Sequence, residues 1–474
     1  MASLKSLVKD TAIYGMSSIL GRFLNYLLVP LQTHVLPASD GGYGVITNIY
    51  AYVALGLVIL TYGMETTFFR FMNKEGENPQ NVYKTILTMV GTTSTVFVLL
   101  VLLFLNPISA WMGYSEHPSY IWTMAIVVAL DAFQSIPFAY LRYQKRPIKF
   151  ATLKVLSIFF NIVLNIICFL IIYDPAIGPG YAFYINLACT AFITLFFWKE
   201  LRDAMSGKFD KSLVKPLLHY SWPILVLGIA GILNQAADKM IFPYIYPSSD
   251  AQGQLGIYGA ATKIAMIMAM ITQAFRYAYE PFVFAGSKEK GQKDMYAKAM
   301  KYFILFTLLA FLMVVGYIDI LKFIINKDYW EGLKVVPIVM TAEIMMGVAF
   351  NLSFWYKLTD KTIWGAVISG TGCLVLIAVN IIFVPKYSYM ACAWGGVAGY
   401  ATCMIFSYFM GQKYYPIDYN LKTIALYVAF TALGYYAMTF IGANFSLIPK
   451  LLLNTIIIIA FAAACIKQIR KSPC

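Results

Sequence analysis

Charged residues inside long apolar segments are the most informative feature of this sequence. The stretch LGIYGAATKIAMIMAMITQAFRYAYEPFVF, residues 255–284, carries Lys263, Arg276 and Glu280 within an otherwise largely apolar run. An ionised side chain at the centre of a bilayer costs at least about 2.5–3.5 kcal/mol. We therefore expect these side chains to contact a substrate, an ion or one another rather than lipid.

Arg22, in SILGRFLNYLLVP, is a second cation of this kind, about 16 Å along its helix and close to mid-membrane. A guanidinium donates bidentately to phosphate, and lysine adds a point charge. We predict that Arg22 and Lys263, with Arg276, bind an anionic, phosphate-bearing headgroup. Arg276 is about 220° around an ideal helix from Lys263, so it joins this site through a helix bend or pairs with Glu280 at an inner gate.

Acidic residues within apolar segments are candidates for ion coupling or gating. Asp238, with Lys239 beside it, lies at a depth similar to that of Lys263 in one predicted hairpin. The two are expected partners, either as a stabilising ion pair or as a site that takes up a coupling cation. Asp131 and Glu343 are either proton carriers, because desolvation favours the neutral acid, or protonated acids hydrogen-bonded to a neighbouring helix.

The elements that position these residues are membrane-spanning helices. The chain has 474 residues, of which 60% are hydrophobic and only 12% charged, and its mean hydropathy is +0.70. A span needs about 20 apolar residues, since a helix rises about 1.5 Å per residue across about 30 Å of hydrocarbon. The predicted spans cover residues 11–36, 42–64, 83–105, 117–138, 150–172, 177–198, 217–246, 255–284, 296–320, 333–356, 363–384, 390–410, 421–441 and 448–466.

The distribution of Lys and Arg orients these fourteen spans. With a cytoplasmic N-terminus, the inner segments carry 27 of the 36 Lys and Arg residues and the outer segments carry 5. This asymmetry follows the positive-inside rule and predicts that both termini are cytoplasmic. Because the net charge of +14 lies in short loops beside the membrane, no nucleic-acid partner is expected.

Several classes of enzyme lack support in the sequence. There is no G-x-x-x-x-G-K-[ST] phosphate loop, and the predicted outer loops are too short to carry a catalytic domain. His34, His117 and His219 are far apart, and the seven cysteines have no metal-binding spacing. We therefore predict a protein that is not an enzyme and that needs neither a cofactor nor a metal.

An internal repeat organises the spans. Pro37–Asp40 after the first span matches Pro247–Asp250 after the seventh, and Tyr83 lies opposite Tyr296 in the basic loops that follow. Six helices separate the copies, so both begin on the same side of the membrane and are related as parallel repeats.

The repeat predicts an all-α membrane protein with two six-helix bundles around a central cavity. The predicted bundles are residues 1–205 and 206–412, and residues 413–474 add two further helices and a tail. Alternating access would then follow from rocking one bundle against the other.

Four stretches resemble a known transporter family. They are YGVITNIYAYVALGLVILTYGMETTFFRF (43–71), ADKMI (237–241), GIYGAATKI (256–264) and QAFRYAYEPF (273–282). They resemble the Wzx-like polysaccharide flippases of the multidrug/oligosaccharidyl-lipid/polysaccharide exporter superfamily, and the resemblance spans almost the whole chain.

The resemblance implies a flippase that moves undecaprenyl-diphosphate-linked sugars across the bacterial inner membrane. Cationic residues in a central cavity would bind the diphosphate, and Arg22 and Lys263 occupy suitable positions. An H⁺ or Na⁺ gradient or the membrane potential would supply the energy. Membrane lipids, the lipid-linked oligosaccharide and the polysaccharide polymerase machinery are the implied partners.

Three alternatives remain open from the sequence. Fourteen spans resemble the lipid II branch of the superfamily, which leaves transport of a peptidoglycan precursor possible. An extruder of cationic drugs would need acidic groups in the cavity rather than Arg22 and Lys263. A scaffold for polysaccharide assembly would gain little from charges in the membrane.

Overall fold

The described part of the chain is almost entirely helical. The structure, a computed structural model, describes residues 26–285, 292–359, 361 and 363–471. No strand occurs among these residues. Arg22 and most of the first predicted span lie outside them.

Twelve helices in the described residues are long and apolar enough to cross a membrane. A bent pair, Gly180–Leu195 with Trp198–Met205, makes a thirteenth if it is counted as one span. These thirteen segments correspond in order to the second to fourteenth predicted spans. The prediction of an all-α, multi-pass membrane protein is therefore confirmed.

The chain divides by its internal contacts into two compact units, Met1–Met240 (unit 1) and Ile241–Cys474 (unit 2). The division falls inside the helix that forms the seventh predicted span. The predicted bundle boundary between residues 205 and 206 rests on sequence symmetry and stays a prediction. Among the described residues, the α-helices of unit 1 are α1 (Leu28–Val35), α2 (Gly42–Thr61), α3 (Met64–Met72), α4 (Pro79–Leu103), α5 (Leu105–Trp111), α6 (Pro118–Tyr143), α7 (Pro147–Leu170), α8 (Gly180–Leu195), α9 (Trp198–Met205) and α10 (Lys211–Ile245), of which the last few residues belong to unit 2.

Helix α6 is the centre of unit 1. It packs against α2, α4 and α8, and it is the most deeply buried of the candidate spans. Tyr83 of α4 stacks on Tyr140 of α6 with 4.1 Å between ring centroids. Proline occupies the first turn of α4, α6 and α7. Proline has no backbone N–H, and an N–H at that position would have no intrahelical partner, so proline is favoured where each helix begins.

Unit 2 contains the remaining helices and the final two spans. Its elements are α11 (Ala251–Ala285), α12 (Gln292–Gly316), α13 (Ile318–Leu321), the 3₁₀ segments Lys322–Ile324 and Lys327–Val335, α14 (Val336–Leu352), α15 (Phe354–Leu358), α16 (Ile363–Tyr387), α17 (Tyr389–Tyr414), α18 (Leu421–Asn444) and α19 (Leu447–Lys471). Helix α17 packs closely against α14 and α16. A Cβ on Gly399 of α17 would lie 2.9 Å from the carbonyl oxygen of Gly372, so glycine permits this close approach.

Helices α18 and α19 pack against α12 and against each other, and hydrogen bonds join them. The Asn454 side chain of α19 donates to the Gly316 carbonyl of α12 at 2.9 Å. Tyr427 of α18 donates to the Ala464 carbonyl of α19 at 2.7 Å. The last two spans are therefore an integral part of this unit.

Candidate functional site

The predicted cationic residues fall into different parts of the chain. Arg22 lies outside the described residues, so its place in a binding site stays a prediction. Lys263 and Arg276 are both on α11 in unit 2, where Lys263 is half-buried and Arg276 is exposed. The side chain of Glu280 is outside the described part of α11, and its predicted pairing with Arg276 is not tested.

Arg276 lies over an aromatic ring near the end of α11. Its guanidinium carbon is 4.8 Å from the ring centroid of Phe350 on α14. The Lys357 ammonium, from α15, lies 4.7 Å from the same centroid. Two cations on one ring concentrate positive charge, and the ring face stabilises each of them. This arrangement, the cation pair Arg276–Lys357, suits a ligand with more than one negative oxygen.

Asp238 forms an ion pair within α10. Both of its carboxylate oxygens accept hydrogen bonds from the Lys239 ammonium at 3.0 Å, and Asp238 is only 5% exposed. The Lys239 ammonium also donates to the Gln235 carbonyl. Lys263, the predicted partner of Asp238, belongs to the other unit, and that pairing stays a prediction.

Asp131 lies near the middle of α6 within a polar cluster of unit 1. The Thr190 hydroxyl of α8 donates to its carboxylate at 3.4 Å. One turn away on α8, the Asn186 amide donates to the Tyr50 hydroxyl of α2 at 3.0 Å. Lys154 of α7 interacts electrostatically with Asp131. The sequence presented Asp131 as an isolated acid, whereas the structure gives it a nearby cation.

Lys154 also links Asp131 to a second charged pair in unit 1, Glu65 with Arg142. Its ammonium lies 3.9 Å from the ring centroid of Phe138 and interacts electrostatically with Glu65. The Arg142 guanidinium donates in turn to the Glu65 carboxylate. Charged side chains therefore extend along α6 from Arg142, in its last turn, to Asp131, near its middle.

Glu343, the other predicted carboxylate, is half-buried on α14 in unit 2. It belongs to unit 2, whereas Asp131 belongs to unit 1. Helix α14 packs against α11, α12 and α17. The assignment of Glu343 to ion coupling or gating stays a prediction.

Unit 2 contains a long apolar cavity of about 860 Å³. Helices α12, α14, α17 and α18 line it, from Lys334 and Trp394 at one end to Phe409 and Tyr419 at the other. Trp394 and Phe409 are fifteen residues apart on α17, which corresponds to about 22 Å. The cavity therefore extends over most of the roughly 30 Å of a bilayer core.

Sequence reasoning missed three parts of this arrangement. Lys154 is one of the 27 Lys and Arg residues counted in the inner segments, yet it lies two turns inside α7. The apolar residues that precede Lys154 indicate a position within a helix rather than in a loop. Lys357 is another of these inner-segment residues, and its spacing of seven residues from Phe350, about two helical turns, is a local signal for their contact. The cavity forms between four helices that are distant in the sequence, so no short sequence motif predicts it.

Comparison with known protein families identifies the chain. Residues 7–279 match the family model described as polysaccharide biosynthesis protein, which is more than half of the 474 residues. The chain belongs to this family. Among curated proteins, none matches the sequence.

Solved structures of the multidrug/oligosaccharidyl-lipid/polysaccharide exporter superfamily share the fold. The lipid II flippase MurJ in an inward closed conformation matches with a TM-score of 0.74 and 13% identity, over 98% of this chain and 99% of that chain. An inward-facing multidrug transporter of the MATE family gives a TM-score of 0.66 at 13% identity, over 82% and 94%. A superfamily transporter from Pyrococcus furiosus gives 0.52 at 16% identity, over 85% and 95%. The predicted resemblance to this superfamily is confirmed.

Proposed function

We propose that this protein is a flippase for a lipid-diphosphate-linked oligosaccharide. The observation that carries the proposal is the apolar cavity of unit 2. It extends along α17 over most of the thickness of the hydrocarbon core, and its lining is almost entirely apolar. A polyprenyl or similar lipid chain has the shape and polarity to occupy such a space, because burial of its apolar surface is favourable.

The cation pair Arg276–Lys357 supports the choice of a diphosphate headgroup. Phe350, on which both cations lie, is two residues from Val348 and Leu352, which line the cavity on α14. Residues two apart lie on nearly opposite faces of a helix. One helix would therefore present the lipid tail on one face and the anionic headgroup on the other, at the same depth.

The direction and energy source of transport are part of the same proposal. The positive-inside distribution supports cytoplasmic termini in a bacterial inner membrane, with export from the cytoplasmic leaflet. An H⁺ or Na⁺ gradient or the membrane potential would drive alternating access. Asp131, Asp238 and Glu343 are the candidate coupling acids, and Arg22 and Lys263 would add to the headgroup site. No catalytic step is required of the protein.

A flippase for lipid II is the second candidate. The structural match to the lipid II flippase MurJ covers 98% of this chain, which includes the two C-terminal spans. The two candidates share a lipid diphosphate and differ in the sugar or peptide that it carries. The family model, described as polysaccharide biosynthesis protein, favours the oligosaccharide.

Complementation of two bacterial strains tests the proposal. One strain lacks its polysaccharide flippase, and the other is depleted of its lipid II flippase. We expect this protein to restore surface glycan in the first strain and to leave the second inviable. Rescue of the second strain alone would replace the proposed substrate with lipid II.

A further inference from the structure

Helix α9 and the segment after it combine exposed apolar and basic side chains. We propose that this surface of unit 1 binds the anionic headgroups of membrane phospholipids. The surface, here the basic corner, consists of Trp198, Lys199, Arg202, Met205, Lys208 and Lys211, all of them exposed. The inference goes beyond the proposed function and does not depend on it.

The position of α9 places it at the membrane boundary. Helix α8 has 16 residues and rises about 24 Å, and Phe196 and Phe197 extend it toward the edge of the hydrocarbon core. The chain then bends by 53° into α9. Since the bend comes where the hydrocarbon ends, α9 turns away from the membrane normal at the headgroup layer.

The outer face of α9 is apolar and cationic at once. Trp198 is 70% exposed and Met205 is 71% exposed. At 100° per residue, Trp198 lies between Met205 and Arg202 around the helix, and the three side chains fall within about 60° of its circumference. Large apolar side chains in full contact with water are unfavourable, whereas the boundary of acyl chains and headgroups accommodates both types.

The inner face of α9 fixes this orientation. Glu200 is fully buried, and both of its carboxylate oxygens accept hydrogen bonds from the Lys149 ammonium at 2.7 Å. The Tyr83 hydroxyl donates to the Glu200 carbonyl at 3.1 Å. These contacts join α9 to α4 and α7 and keep the buried carboxylate away from the outer cations.

The net charge of the basic corner favours an anionic ligand. Its four cations face two nearby acids that are not fully buried, Asp203 and Asp210. Asp210 accepts hydrogen bonds from the Ser212 hydroxyl and backbone N–H, which hold the pKa of its carboxyl below the usual range. Each cation near an anionic surface contributes attraction, so the corner prefers phosphatidylglycerol to a zwitterionic lipid.

Brominated lipids in nanodiscs test this preference, because bromine quenches tryptophan fluorescence on contact. The Trp198 signal is the difference between the wild type and Trp198→Phe. We expect stronger quenching of this signal by brominated phosphatidylglycerol than by brominated phosphatidylcholine. The variant K199Q/R202Q/K208Q should reduce the preference at least about tenfold, given the contribution of each cation.

A matched variant controls for the change in net charge. K413Q/K422Q/K467Q removes three exposed lysines of unit 2 and leaves α9 intact. It should retain the preference of the wild type. Equal quenching by the two lipids in the wild type would overturn the proposal. A preference that survives in the α9 variant, or that falls equally in both variants, would overturn it as well.

Discussion

Arg276 and Lys357 lie over the same aromatic ring, that of Phe350, at 4.8 and 4.7 Å from its centroid. They come from α11 and α15, so the fold brings together two cations that are far apart in the chain. The ring face attracts both cations and limits how either side chain moves. In the proposed flippase, this pair binds the diphosphate.

Replacing either cation of this pair should weaken binding of a polyprenyl diphosphate. We expect Arg276→Gln and Lys357→Gln each to lower the affinity of the purified protein about tenfold or more, because a charge-assisted hydrogen bond contributes about 1.5–3 kcal/mol. Lys361→Gln is the matched control, since Lys361 also lies over a ring, that of Tyr414, at 3.7 Å. An affinity lowered equally in all three variants would indicate a general charge effect.

Filling the apolar cavity should block the lipid chain without removing a charge. Val348 lines the cavity on α14, and Val348→Trp would occupy part of its volume. We expect binding of a long-chain polyprenyl diphosphate to weaken at least about tenfold, because the tail loses buried apolar area. Val348→Leu adds little volume and should bind as the wild type does. Unchanged binding by a correctly folded Val348→Trp protein would place the tail elsewhere.

The Asp131–Lys154 interaction predicts a non-additive effect on stability. Asp131→Asn and Lys154→Gln each leave one half-buried charge without its counterpart, and we expect each to lower the free energy of unfolding by about 1 kcal/mol or more. The double variant removes both charges. Its loss in free energy of unfolding should be smaller than the sum of the losses in the two single variants. Thermal unfolding in one detergent provides the comparison. Additive costs would show that the two side chains do not stabilise each other.

Acid should weaken the attachment of α19 to the rest of unit 2. The Asp319 carboxylate pairs with Lys450 of α19 and with Lys322. Burial raises the pKa of Asp319, but the hydrogen bonds from Lys450 and Lys322 outweigh it and hold the pKa below the usual range. The stabilisation is therefore complete above the pKa of the unfolded carboxyl, about 3.9, and is lost as the pH falls toward the lower folded value.

Asp319→Asn isolates this contribution. We expect the variant to be less stable than the wild type by roughly 1 kcal/mol at pH 7, since the pair is partly exposed. The difference should shrink as the pH is lowered from 5 to 3, which thermal unfolding of the two proteins in parallel would measure. A constant difference across this range would contradict the assignment.

The spans could be predicted from the sequence because apolar length is a local property. All thirteen segments in the described residues fall where hydropathy placed them, and the bend after α8 is the main departure from straight spans. In the hydrocarbon core, backbone N–H and C=O groups must form hydrogen bonds within the protein. A long apolar segment meets this requirement by forming a helix.

The partners of the charged residues could not be predicted in the same way. Asp131 appeared isolated because its neighbours, Thr190 and Lys154, come from two other helices. Helix–helix contacts depend on how each helix is rotated, and span hydropathy does not encode this rotation. The described partner of Asp238 is instead local in the sequence, because its ion pair is with the adjacent residue, Lys239.

Flipping by purified protein in proteoliposomes is the most direct test of the proposed activity. The substrate would be a pool of polyprenyl-diphosphate oligosaccharides extracted from the bacterium that encodes this protein. We expect the wild type to move labelled lipid between leaflets well above empty liposomes, R276Q/K357Q to be strongly reduced, and K361Q to match the wild type. Transport of a cationic drug, with no movement of the lipid pool, would contradict the proposed function.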